Sequence, residues 1–135
     1  MTRGAKIKTL KAVPLFARCT KDQLSQLAKV ATLVDFPAGT VLIREGEPGR
    51  RFYALVDGNV EVRQNGRKLP ARGGDGFGEI SLLLRRPTTA TVTTTSPARA
   101  LVITPDEFRS LLNDSPGFQR RILLAVTERL APMTV

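Results

Sequence analysis

Apolar positions recur along this chain with two different periods. After Thr20-Lys21-Asp22-Gln23, the residues Leu24, Leu27 and Ala28 fall at helical spacing. Thr20 and Gln23 stand in the relation of a capping box, which predicts a helix of about three turns. From Ala31 the pattern shortens. Leu33, Val34 and Phe36, then Val41, Leu42 and Ile43, are strand-type residues on either side of the turn Pro37-Ala38-Gly39. Glu45 to Gly49 is a second turn, and Phe52 to Leu55 a third strand. Asp57-Gly58-Asn59 and Asn65-Gly66 are hairpin signals around the alternating Val60, Val62 and Gln64, and Lys68-Leu69 starts a short fifth strand. Ala90 to Thr94 and Ala98 to Ile103 read as two more strands about Ser96-Pro97. Short strands with turns at roughly ten-residue spacing argue for a β-sandwich or barrel.

Helical spacing then returns. Thr104-Pro105-Asp106-Glu107 combines a cap, a proline at the first position and a glutamate at the third. Phe108, Leu111 and Leu112 form the apolar face of that helix, and Asn113-Asp114 ends it. Ser115-Pro116 opens a last helix with Phe118, Ile122, Val126 and Leu130 on one stripe, closed by Pro132. The order is helix, β-barrel, helix, helix, without an internal repeat. Residues 1–13 carry Arg3, Lys6, Lys8 and Lys11 and no acid. They are expected to form a loosely docked basic tail, tethered by Leu10, Val13, Leu15 and Phe16, ahead of a domain over residues 14–135.

Composition narrows the chemistry. The chain has 135 residues, which suits one domain, and a formal net charge of +9. Such a charge favours anionic partners, though a solvated basic surface gives the same number. There is no histidine and one cysteine. Zinc and copper sites, Ser-His and Cys-His pairs and the usual general base are therefore missing, and no enzyme is expected. Cys19 reads as a small buried apolar residue. A lone cysteine, no secretory signal and no membrane span make a cytoplasmic setting the default.

The stretch Gly74 to Val92 organises the rest. A glycine-rich turn opens onto a short apolar run at Glu79, followed by Arg85, Arg86, Pro87 and a threonine-rich strand. Glycines let a backbone approach a ligand, and free N–H groups at a helix start suit an anion. Glu79 suits either a helix cap or the hydroxyls of a sugar. The residues together read as a pocket for an anion and a sugar, most simply a nucleotide phosphate with its ribose.

From about Leu15 to Leu130 the chain resembles the cyclic nucleotide-binding domain shared by protein kinase regulatory subunits, gated channels and bacterial catabolite-activator regulators. The resemblance is carried by Phe36-Pro37-Ala38-Gly39, by Glu45-Gly46 through Gly49, by Phe52-Tyr53-Ala54-Leu55 and by Gly58-Asn59-Val60-Glu61-Val62. Phe77-Gly78-Glu79-Ile80-Ser81-Leu82-Leu83 matches the start of the family's phosphate-binding cassette, and Pro87 with Ala90-Thr91-Val92 its end. It implies a mostly β fold with flanking α: an eight-stranded double-stranded β-helix (jelly-roll) barrel with an N-terminal helix and two C-terminal helices.

The resemblance also implies ligand-binding roles for Phe77, Gly78, Glu79, Ile80, Ser81, Arg86, Thr88 and Thr89. The N–H groups around Gly78 to Ile80 would face a cyclic phosphate and Glu79 the ribose 2′-hydroxyl. Thr89 would touch phosphate or a guanine amino group, and the last helix would cover the base. Thr88 departs from the pattern, because the family places there an arginine whose fork pairs with the phosphate. Arg85 and Arg86 lie just before Pro87, where either one reaches back to the ligand or both are solvated. The expected function is a cAMP or cGMP sensor and regulatory signalling module with no attached output domain and no cofactor, acting on an effector protein. The alternative is a degenerate fold that binds no cyclic nucleotide and serves protein interaction. A homodimer through the last helix is left open. The sequence carries no helix-turn-helix after that helix, so no sequence-specific DNA binding is expected, and no membrane partner.

Overall fold

The computed structural model describes residues 1–69, 76–78 and 87–130, the last three by their backbone alone. Its first element differs from the expected tail. Residues Arg3–Lys11 form a helix, α1, capped by Thr2, whose hydroxyl accepts from the Ala5 N–H at 3.1 Å. Leu10 and Val13 are fully buried. Lys6 Nζ reaches across to the carbonyls of Ala31 at 2.8 Å and Ala28 at 3.3 Å. Those carbonyls end the second helix, α2 (Lys21–Val30), and an ammonium there complements its dipole. The basic residues read as a loosely docked tail thus include one that ties α1 to α2.

A 3-10 turn, Pro14–Phe16, follows α1 and buries Leu15 and Phe16. The predicted capping box of α2 is present. Thr20 N–H donates to Gln23 Oε1 at 2.8 Å, and Gln23 N–H to Thr20 Oγ1 at 3.3 Å. Leu24, Leu27 and Ala28 are its buried face.

Eight strands follow among the described residues. They are β1 (Thr32–Phe36), β2 (Val41–Ile43), β3 (Phe52–Asp57), β4 (Val60–Gln64), β5 (Arg67–Leu69), β6 (Gly76–Phe77), β7 (Thr91–Thr94) and β8 (Ala98–Ile103). They make two antiparallel four-stranded sheets, in the orders β1-β8-β3-β6 and β2-β7-β4-β5. Strand β6 has no counterpart in the sequence pattern. Two residues carry no alternation, and only the facing strand defines them: Phe77 pairs with Tyr53 and Gly76 with Ala54.

Strands β3 and β8 are buried on both faces, which is why Ala100 to Ile103 is continuously apolar. Phe52, Ala54, Leu101 and Ile103 point to the helical side and join one core. Tyr53, Ala100 and Val102 point the other way and pack with Val34, Phe36, Leu42, Ile43 and Phe77. Of the threonines, Thr94 is buried and structural. Its hydroxyl donates to Pro37 O at 2.7 Å and accepts from Thr40 N–H at 2.8 Å, fixing the β1–β2 turn on β7. Thr91 Oγ1 accepts from the Glu45 N–H at 3.0 Å.

Two helices close the described chain, α3 (Pro105–Asp114) and α4 (Pro116–Leu130). The capping box of α3 is the one expected: Thr104 N–H donates to Glu107 Oε1 at 3.1 Å, and Glu107 N–H to Thr104 Oγ1 at 3.3 Å. Thr104→Ala should lower the unfolding free energy by about 1 kcal/mol, seen as a lower urea midpoint with an unchanged slope. Phe118, Ile122 and Ala125 are the buried side of α4, with Val126 half-buried against the same core. Pro132 and the Leu130 side chain lie outside the described residues. Leu123 and Leu124 stand exposed, at 64% and 43%. Four rings run in contact from sheet to last helix: Phe52 to Phe16 at 5.5 Å and Phe108 to Phe118 at 5.7 Å edge-on, and Phe16 to Phe108 at 6.1 Å tilted.

Candidate functional site

The described parts of the Gly74–Val92 stretch, residues 76–78 and 87–92, meet the segment that leads from β2 into β3. At the near end, Phe77 lies half-buried opposite Tyr53. Gly78 follows with φ of +90°. A Cβ on Gly78 would stand 2.5 Å from the Arg51 carbonyl oxygen and 3.4 Å from Ile43 Cδ1. Only glycine allows that approach in that conformation. At the far end, Pro87 bridges Pro48. Thr88 N–H donates to Glu47 O at 2.9 Å, and Gly46 N–H donates to Thr88 O at 2.9 Å.

Between these ends lies a cavity of about 260 Å³. Among the described residues it is lined by Leu42, Ile43, Arg44, Glu47, Pro48, Gly49, Arg50, Arg51, Tyr53 and Thr88. Its volume is just under the range usual for small-molecule pockets, so it suits part of a ligand, such as a cyclic phosphate with its sugar. Three guanidinium groups face one carboxylate, so the lining is net positive and favours an anion. Glu47 is 3.5 Å from Arg44 Nε, with both side chains largely exposed.

Thr88 does not offer a free donor. Its hydroxyl proton is directed at the backbone carbonyls of Arg44 and Glu47. Oγ1 keeps lone pairs, and these repel rather than attract a phosphate oxygen. Thr89 is exposed in the bend that follows. Glu79, Ile80, Ser81 and Arg86 lie outside the described residues, so their assigned roles rest on the resemblance alone.

Tyr53 lines the cavity from β3. Its hydroxyl donates to Leu42 O at 3.1 Å. Burial pushes the phenol pKa up, and the Arg51 guanidinium beside it pulls the other way. Cys19 sits in the helical core, where burial pushes its thiol up to about 11 against the opposing charge of Arg121. The thiol is therefore a packed apolar group, as the sequence suggests. Among the described residues no cluster of His, Cys, Asp or Glu could hold a metal ion, and no helix is long and apolar enough to cross a membrane.

Sequence reasoning missed Arg44, Arg50, Arg51 and Tyr53. One signal could have found two of them. Arg51 and Tyr53 are two residues apart at the start of a strand, and period two places both on one face.

Two antiparallel sheets, helices against one of them and a basic hollow beside a glycine turn define the class of this β-domain. Comparisons with known proteins make the assignment specific. The sequence model of the cyclic nucleotide-binding domain matches residues 33–115. A cAMP-dependent protein kinase regulatory subunit of Emericella nidulans is 32% identical over 115 residues, covering 83% of this chain and 28% of that protein. A CRP-like cAMP-activated global transcriptional regulator of Mycobacterium tuberculosis is 33% identical over 122 residues, covering 86% of this chain and 54% of that one. The crystal structure of the N-terminal domain of a transcriptional regulator from Streptomyces coelicolor A3(2) superposes with a TM-score of 0.81 at 29% identity, covering 93% and 94% of the two chains. This chain belongs to the cyclic nucleotide-binding domain family. It spans about a quarter to a half of the length of those two curated relatives.

Proposed function

We propose that this protein is a regulatory module that binds cAMP or cGMP. The observation that carries the reading is the cavity itself: a net-positive hollow flanked by Gly78 at one end of the cassette stretch and Thr88 at the other. Two relatives named for cAMP support the choice of ligand. In this reading the two sheets close as a jelly-roll barrel, with the Tyr53 cluster filling the space between them. The module has no catalytic step and acts in the cytoplasm on an effector protein. Ligand binding shifts the population of α4 positions, and the run of rings from Phe52 to Phe118 gives the sheet a packed route to that helix.

A second reading has its own observation. Thr88 spends its hydroxyl on two backbone carbonyls, and no guanidinium stands at that position. A domain that has lost cyclic nucleotides and serves only protein contacts would show the same feature.

Titration calorimetry with cAMP and cGMP separates the two, and absence of heat with both favours the second. Glu79→Ala should weaken cyclic nucleotide binding by about 10- to 100-fold, the value of one hydrogen bond from a charged group. Unchanged affinity in that variant would remove Glu79 from the sugar contact.

A further inference from the structure

The charge missing at position 88 is present elsewhere in the same hollow. The Pro48–Pro87 bridge and the Thr88 bonds to Glu47 bring the segment from Arg44 to Arg51 against the far end of the cassette stretch. Arg51 immediately precedes β3 and shares a face with Tyr53, two residues on. Its guanidinium stands beside the Tyr53 phenol, which is itself held by Leu42 O. The backbone of Arg51 meets Gly78, so this side chain leaves the chain at the wall where the cassette begins. Arg50 lines the same cavity, and among the described residues no hydrogen bond or ion pair engages it. Arg44, by contrast, is opposed by Glu47.

We propose that the phosphate of a cyclic nucleotide is neutralised here from the strand side, by the guanidinium of Arg51 with Arg50 beside it, in place of an arginine at position 88. The inference rests on the cyclic nucleotide reading. A guanidinium carries five N–H donors in a planar fork, so contact with a phenol oxygen leaves ample capacity for two phosphate oxygens. With two arginines able to face one phosphate, binding should fall steeply with added salt, because the opposing charges are close to solvent.

The test uses calorimetric titration of cAMP and cGMP into the wild type, Arg50→Ala, Arg51→Ala, Arg86→Ala and the double variant Arg51→Ala/Thr88→Arg, with thermal melts to show that each is folded. Inorganic phosphate is titrated in parallel while the arginine Nε–H resonances are followed by NMR. Arg51→Ala should weaken the preferred cyclic nucleotide about 10- to 100-fold, Arg50→Ala by less, and Thr88→Arg should recover at least about tenfold in the Arg51→Ala background. If Arg51→Ala fails to fold, Arg51→Gln replaces it, keeping the stem and removing the charge. Wild-type binding that survives both Arg50→Ala and Arg51→Ala, above all if Arg86→Ala abolishes it, overturns the inference and leaves the cyclic nucleotide reading intact. If neither cyclic nucleotide binds but phosphate shifts the Arg51 resonance, and the binding is lost in Arg51→Ala, the ligand reading fails and the anion site stands. No response to any of the three ligands overturns both.

Discussion

Phe16→Ala is expected to lower the unfolding free energy by about 3–5 kcal/mol, the usual cost of emptying a fully buried aromatic site. Domains of this size are stable by only about 5–15 kcal/mol, so the loss is a large part of the whole. Phe16 has no solvent exposure. Its ring meets Phe52 of β3 edge-on, with planes at 75°, and Phe108 of α3 at 51°. It lies in a 3-10 turn, yet its ring meets one ring of the sheet and one of a C-terminal helix. Removing it leaves a cavity where three elements meet. Urea denaturation measures the effect, and Phe16→Leu, which keeps most of the volume, should cost less than about 1.5 kcal/mol. If Phe16→Ala costs under about 1 kcal/mol, the rings do not hold sheet and helices together.

Gly78→Ala should be the most damaging change at the site. Two penalties combine. A side chain at φ of +90° costs about 1–2 kcal/mol, and the new Cβ would sit 2.5 Å from a backbone oxygen that cannot rotate away. The clash adds about 1–3 kcal/mol and moves the start of the cassette off β3. Cyclic nucleotide binding, if present, should disappear. Gly39→Ala is the control. Gly39 has φ of +83° but open space where its Cβ would go, so only the conformational penalty applies. Urea midpoints and ligand titrations of both variants separate strain from steric displacement. Equal stability losses in the two would mean that the Arg51 carbonyl yields to the new side chain.

Local rules made much of this protein legible. Thr20 with Gln23, and Thr104 with Glu107, give capping boxes because donor and acceptor lie three residues apart in one chain. Asn65-Gly66 turns the β4–β5 hairpin where the sequence signals it. The strands of the two sheets follow from strand-type residues set between turn signals, save β6. The Gly76-Phe77 pair is too short to show a period, and its strand exists only through Tyr53 and Ala54. Helix α1 was hidden for another reason. Its four basic residues dominate the local pattern, while Leu10 is buried in the core and the Lys6 bonds to α2 act over more than twenty residues.

The site divides in the same way. That position 88 holds threonine, and that Gly78 sits at a tight approach, can be read one residue at a time. That Thr88 gives its hydroxyl to Arg44 and Glu47, more than forty residues upstream, cannot. Nor can the sequence alone place Arg50 and Arg51 in the same hollow as Thr88. Order and spacing set what each stretch becomes and which family it belongs to, because caps, turns and alternation act within a few residues. Which charges face one another across the cavity was decided by strand register and the Pro48–Pro87 bridge, and those arise only when distant segments pack together.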